Sequence, residues 1–362
     1  MKTILFITPY PSGAAPSQRF RFEQYYSVLK SKGFTLKWLP FLNTKQYDTI
    51  RNNPFSFLSL FYLTLGLSKR FFQLFLLPSC DFVFIHREAS LLGPPCFEWA
   101  LAKIRRKKII YDFDDAIWLS DPGESTFISH WIKWKSKTSL LCRISHRLSC
   151  GNRYLREFGS KFNPNSILNP TTIDTDHLHN PSIHSPSQII PQKNKSIVLG
   201  WTGSGSTLIY LKQIEPVIQE IEKLYPIIFL VIADKKPDLN ITSLLFQKWN
   251  KDTEIPDLLH IDIGLMPLTD DLWSKGKCGF KLLQYMALEI PALASPVGVN
   301  TSIINQGING FICNNQQEWK DYLIQLIEDE TLRKTMGKEG RKKVEENYSV
   351  SSNASNFLSL FD

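Results

Sequence analysis

The sequence predicts an α/β protein of two domains, each a mostly parallel sheet wrapped by helices, facing each other across a cleft. Three observations predict it. The chain has 362 residues, too many for one small core. The runs TILFIT (3–8), DFVFIH (81–86), SIVLGW (196–201) and PIIFLVIA (226–233) are continuously apolar and alternate with helical segments. Such runs suit strands covered on both faces. Residues 180–195, NPSIHSPSQIIPQKNK, are rich in Pro, Ser, Asn and Gln without hydrophobic period, which marks a linker. The boundaries are therefore 1–185 for the first domain and 186–349 for the second, followed by a tail over 350–362.

Hydrophobic content of 43% and charged content of 21% are globular values. Residues 1–185 hold 24 Lys and Arg against 13 Asp and Glu, a balance of +11, whereas 186–362 hold 18 against 21, or −3. A basic first half favours an anionic partner, or is simply a soluble basic domain. A nucleic-acid partner is not expected, because no RRM, KH or helix-turn-helix pattern is present. An anionic membrane surface is. The six cysteines form no CxxC pair and no metal-ligand spacing, so they read as reduced thiols of a cytoplasmic protein. The short run TILFIT is followed by Pro9 and Pro11, which fits a first strand and turn better than a signal peptide.

In chain order, the first strand leads into PYPSGAAPSQRFRFEQYY. Gly13 and Ala14 belong to a tight loop, Ser17 is placed to cap the following helix and Gly33 to end it. There is no GxGxxG, so no dinucleotide fingerprint. Arg19 and Arg21 oppose the dipole at a helix start, which calls for an anion beside them. Residues 54–78 are the most apolar stretch, but Lys69 and Arg70 interrupt it. It reads as two short helices or one broken helix, either core or membrane-surface, and not as a span of about 20 apolar residues. His86 ends the next strand, on the side where such sheets bind ligands. A helix from about 94 to 104 runs into KIRRKK (103–108), and the strand KKIIYD ends in Asp112, Asp114 and Asp115. Three carboxylates at a strand end serve as bases, as acceptors for sugar hydroxyls or as metal ligands, or else cap the next helix. Residues 126–145 read as a helix with Lys133, Lys135, Lys137 and Arg143 on one face, and Asn152 caps another.

In the second half, Gly203, Ser204, Gly205 and Ser206 precede the helix LIYLKQIEPVIQEIEKL, a phosphate-cradle candidate. The stretch GKCGFKLLQYMALEIPALASPVGVN (276–300) reads as loop, helix, short strand and loop. Lys277 and Lys281 stand four apart, one helical turn, so that both reach one anion, and Gln284 lies three further on the same side. The other reading is an ordinary amphipathic helix with two solvated lysines.

With DIGLMPLTDD before it and GINGFICNN after it, this stretch resembles the nucleotide-binding half of bacterial family-four (group 1) glycosyltransferases of the GT-B fold. The resemblance spans nearly the whole chain and is densest from Leu259 to Val350. It implies retaining transfer of a sugar from a nucleotide-diphosphate donor to a glycan or lipid-linked acceptor in surface polysaccharide or lipopolysaccharide assembly. It implies two Rossmann-like domains and a tail, 350–362, that packs back on the first. No metal is expected, and no cofactor apart from the donor substrate. The expected catalytic residues are Lys281, Asp112 and Asp114. The donor is expected at Gly203, Ser204, Gly205, Lys277, Cys278, Gly279, Phe280, Gln284, Pro296, Val297 and Gly298. The acceptor side is expected at Gly13, Ala14, Arg19, Asp115 and His86.

The chain departs from that pattern in three places. The family's Glu-x7-Glu falls on Gly276 and Gln284, leaving Asp270 or Asp271 as a replacement for the first carboxylate. The 203–206 loop has no Arg or Lys. Glu289 stands where the family usually has Gly, at a cost of about 1 kcal/mol if the position is left-handed. Two other functions are compatible with the residues: a sugar-nucleotide epimerase of the same fold and a non-catalytic binder of an anionic ligand.

Overall fold

The computed structural model describes residues 2–119, 134, 136–190 and 196–362. Lys133 and Lys135 of the expected basic helix, and 191–195 of the expected linker, lie outside the described residues. The chain divides into two units. The first takes Met1–Thr171, Gly276–Cys278 and Asn353–Asp362, and the second takes Thr172–Lys275 and Gly279–Ser352.

The first unit is built on β1 (Thr3–Thr8), β2 (Thr35–Pro40), β3 (Phe82–His86), β4 (Lys108–Phe113), β5 (Arg147–Cys150) and β6 (Ser166–Leu168). They form one parallel sheet in the order β2-β1-β3-β4-β5-β6. Ile4 to Ile7 and Val83 to Ile85 are wholly buried, as a sheet covered on both faces requires. The register sets His86 beside Asp112, and Asp112 beside Ser149.

The second unit carries β7 (Ile197–Gly203), β8 (Ile227–Ala233), β9 (Leu244–Lys248), β10 (Ile263–Met266), β11 (Ala292–Ala294) and β12 (Gly310–Ile312). All pairs are parallel, in the order β12-β11-β10-β7-β8-β9. This is the doubly wound order, and the chain changes its direction of growth between β7 and β10. Ligands of such sheets bind beyond the carboxyl ends of the strands at that point. The core beneath it includes Trp201, Phe229, Val231, Ile218 and Leu323.

Four local expectations are corrected. The unit boundary falls after Thr171 rather than at 185. Residues beyond it side with the second unit because the Ile173 N–H donates to Tyr348 O at 2.8 Å, the Val350 N–H donates back to Ile173 O at 3.0 Å, and Arg341 reaches the His179 carbonyl at 3.1 Å. The apolar stretch forms a single unbroken helix, Phe57–Phe75, capped by Ser56. Arg70 does not break it because its guanidinium turns inward onto carbonyls, and Lys69 bends to Pro40 O at 2.9 Å. Ser17 caps nothing: Ala15 is the N-cap residue and Pro16 opens the helix Pro16–Arg21, where its missing N–H is harmless. Finally, Gly205–Gln213 is a 3-10 helix, and the α-helix starts afresh at Glu215 with Pro216 in its first turn. Proline cannot donate into a continuing helix.

The tail lies on the first unit. Phe357 stacks on Tyr25 with ring centroids 4.1 Å apart, Phe361 sits edge-on to Phe82, and Asn356 Nδ2 donates to Leu168 O at 3.0 Å.

Candidate functional site

In the second unit Lys281 and Gly203 meet where β7 ends. The helix Phe280–Ala287 follows Gly279, whose φ of 69° is left-handed, and no side chain caps it. A Cβ on Gly279 would stand 2.2 Å from Ile303 Cδ1, so the entry needs glycine twice over. Lys281, one residue into the helix, places its ammonium 5.2 Å from the Trp201 ring centroid, within cation–π range. A Cβ on Gly203 would meet the Trp201 ring at 2.5 Å and Lys281 Cε at 2.9 Å. The bare backbone of Gly203 is therefore what lets the lysine lie along the end of β7. The two stretches of the second half that the sequence marked separately meet here.

The other loops that the sequence marked in this unit are pinned. Gly205 donates its N–H to Asp234 Oδ1 at 2.5 Å, so this donor is spent inside the protein. Ser295 Oγ accepts from Leu268 N at 3.0 Å, and Asn300 Nδ2 donates to Ser295 O at 3.1 Å, which fixes the Pro296–Gly298 turn after β11. Val297 is buried within that turn, while Pro296 and Gly298 are exposed. Gly298 has φ 56°, and a Cβ there would lie 3.1 Å from Lys275 O.

Gln284 is not aimed at this surface. It is buried, with Nε2 3.3 Å from both Glu254 Oε1 and His179 Nε2. It ties the helix to the segment after Thr171 rather than presenting an amide to a ligand. Lys277 and Lys281 do not share a turn either. The helix begins only at Phe280, and Lys277 belongs to the first unit, where its Nζ lies 3.1 Å from Asp115 Oδ1. Asn152 holds the same short segment, donating to Gly276 O at 2.9 Å and Lys277 O at 3.1 Å. Cys278 Sγ donates to Asp114 O at 3.1 Å, and burial pushes its thiol well above the ordinary range. A Cβ on Gly151 would sit 2.5 Å from that sulfur, so Gly151 makes the room.

The three candidate carboxylates at the end of β4 are all engaged. Asp112 is wholly buried and receives Arg21 Nη2 at 2.5 Å, Ser149 Oγ at 2.5 Å and His86 Nδ1 at 2.7 Å. Burial alone would raise its carboxyl, but the Arg21 charge and the His86 bond outweigh this and hold it well below the usual range. Asp112 is thus a buried anchor and the anion that Arg21 required. Asp114 and Asp115 share one guanidinium: Arg87 Nε lies 2.7 Å from Asp114 Oδ1 and Nη2 lies 2.6 Å from Asp115 Oδ2. Against the upward push of burial, Arg87 keeps Asp114 below its ordinary value. Gly13, with φ 76°, donates its N–H to Glu23 Oε2 at 2.8 Å, and Ala14 closes the turn onto Pro11 O at 3.3 Å. Arg19 lies over the Phe20 ring at 4.8 Å. His86 Nε2 is buried without a hydrogen-bond partner among the described residues.

Residues 205–343 match the family model of the group 1 glycosyl transferases. The matched stretch takes in most of the second unit, including the helix Phe280–Ala287. The whole chain shares its fold with solved glycosyltransferase structures. A glycosyltransferase from Rickettsia africae aligns at TM-score 0.69 with 13% identity, over 99% of this chain and 97% of that one. Sucrose-phosphate synthase from Thermosynechococcus elongatus aligns at 0.66 with 11% identity, over 100% and 98%. HepE of Anabaena, solved in complex with UDP, aligns at 0.63 with 12% identity, over 99% of each chain. No curated protein matches the sequence. The fold is GT-B, with two Rossmann-like units of six parallel strands.

Three residues, Arg87 in the first unit and Trp201 and Asp234 in the second, were not among the candidates that the sequence offered. Arg87 has φ 58°, a left-handed backbone that a non-glycine residue adopts at a cost, and strain of this kind gathers at functional sites. Its place directly after a buried strand was the one available signal. Trp201 and Asp234 read as ordinary core and loop residues. Only the meeting of β7 with the helix at Phe280 gives Trp201 its lysine.

Proposed function

We propose that this glycosyltransferase moves a sugar, with retention at the anomeric carbon, from a nucleotide-diphosphate donor to a glycan or lipid-linked acceptor. The acceptor belongs to bacterial surface polysaccharide or lipopolysaccharide assembly, and the enzyme works at the inner face of the cytoplasmic membrane. The second unit takes the donor and the basic first unit takes the acceptor.

One observation carries the reading: Lys281 is held over Trp201 beside the bare backbone of Gly203, at the end of β7 in the domain that matches the family. When the bond between the sugar and the diphosphate breaks, negative charge builds on the departing diphosphate. A cation fixed beforehand stabilises that charge more than it stabilises the bound donor, and so lowers the barrier.

HepE is solved with UDP, which makes UDP the first nucleotide to test. A thermal-shift series with UDP, GDP, ADP and CMP decides, since a ligand that binds only the folded chain raises the melting point by mass action. One nucleotide raising it well beyond the others supports the reading; equal and negligible shifts with all four overturn it.

A further inference from the structure

The helix Phe57–Phe75 in the first unit is inside out. The residues it buries most deeply are Ser59, Gly66 and Arg70. The residues it leaves exposed include Phe57, Phe61, Leu65, Phe71, Phe72 and Phe75, with Phe57 at 86% and Phe75 at 67%. An ordinary surface helix turns its apolar stripe to the core.

The inversion is held by specific contacts. Arg70 donates to Ala89 O at 2.8 Å, to Thr8 O at 3.1 Å and to Gln73 Oε1 at 2.6 Å, between the rings of Phe41 and Phe97. A Cβ on Gly66 would meet Phe41 Cζ at 2.5 Å, so nothing larger than glycine lets the helix seat. Ser59 Oγ donates to Asn53 O at 2.6 Å. Rolling the helix to hide its phenylalanines would break all three contacts and strand the carbonyls that Arg70 satisfies.

Two helices pack beside it, Thr44–Asn52 and Cys96–Lys103. They and the turn after the second expose Lys45, Arg51, Lys103, Arg105 and Arg106, against the single exposed carboxylate Asp48. Trp99, on the second of these helices, is 45% exposed. No described helix is long and apolar enough to cross a membrane.

We infer that this face lies in the interface of an anionic lipid bilayer, with the helix parallel to the surface, its phenylalanines among the acyl chains and the flanking cations on the headgroups. Hydrocarbon accepts a convex row of projecting rings without a matching groove. A second copy of the chain fits poorly, because a two-fold pairing through this helix sets the same five cations against one another. The inference rests on the membrane reading above and deepens it by naming the docking element. Arg70 ties that element to the ends of β1 and β3, where Gly13 and His86 lie. A lipid-linked acceptor would then be presented to the carboxyl ends of those two strands.

The test is flotation of the purified full chain with vesicles of phosphatidylcholine alone or with phosphatidylglycerol. The chain floats with the anionic vesicles and is released at about 1 M salt, where the Debye length is about 3 Å. Phe72→Ser with Phe75→Ser, both exposed, leaves the melting point unchanged and weakens flotation by roughly tenfold per residue. Lys103→Gln with Arg105→Gln abolishes the preference for phosphatidylglycerol. Flotation that the Phe variant leaves intact overturns this helix as the docking element while sparing the membrane reading. No flotation by the unaltered chain overturns both. Self-association that the Phe variant removes, without flotation, makes the occupant a second copy and also overturns the inference. The nucleotide thermal shift, read on the same variants, stays unchanged in every case and so tests the donor reading separately.

Discussion

Arg21 and Asp112 form an ion pair at 2.5 Å with neither side chain exposed, joining the end of the first helix to the end of β4 across 91 residues of chain. Taking one charge away leaves the other buried without its counter-charge. Asp112→Asn is therefore expected to cost about 3–5 kcal/mol of stability, read from urea denaturation. The sign with pH follows from the depressed carboxyl. Its stabilisation is complete above the unfolded value of about 4 and is lost as pH falls towards the lower folded value. The unaltered chain loses stability across that acid window, and the part due to Asp112 is missing from the slope of the Asn variant. Equal acid slopes in the two proteins would dismiss the pair as a source of stability.

Lys281 is the cation at the end of β7, so its removal should act on turnover. Lys281→Ala is expected to lower kcat about a hundredfold, the equivalent of about 3 kcal/mol, with the melting point little changed. Lys281→Arg restores only part, because a planar fork does not replace a point charge. Gly203→Ala forces the same ammonium aside and should lower kcat in the same direction. Steady-state kinetics with the donor identified by thermal shift check all three. Near-normal turnover in Lys281→Ala would leave the lysine as surface only.

Glu289 holds φ 60°, and its carbonyl is so close to the helix Glu330–Asn347 that a Cβ on Gly337 would lie 1.9 Å from it. The Glu289 side chain is exposed, so it can be removed without loss of packing. Glu289→Gly is expected to stabilise the protein by about 1 kcal/mol, by relieving the left-handed strain. A denaturation midpoint that falls would show the side chain to be doing something the backbone does not explain. Gly337→Ala, by contrast, should destabilise strongly.

Phe357 is buried and stacked on Tyr25, with Phe361 packed on Phe34 and Phe82. Phe357→Ala should cost about 3–5 kcal/mol. Deleting 353–362 should lower the melting point and the activity together, because the tail completes the first unit. An unchanged melting curve after deletion would mean that the tail packs without contributing.

The strands β1, β3, β7 and β8 were legible in the sequence because a continuous β-branched and aromatic run is a local signal. The α/β class with mostly parallel sheets followed from their alternation with helices. Gly279 and Gly298 were legible as loop glycines, and Glu289 stood out through the family resemblance, as a residue where glycine is usual. What the carboxylates of DFDD and the two lysines do was decided only by the tertiary structure. Asp112 meets Arg21 because sheet register brings β4 beside the first helix, and no local pattern encodes a partner 91 residues away. Lys277 and Lys281 part because one left-handed residue, Gly279, starts the helix after the first of them. The helix Phe57–Phe75 makes the same point: periodicity shows which face is apolar, but which face points inward depends on Phe41, Thr8 and Ala89, which lie elsewhere in the chain.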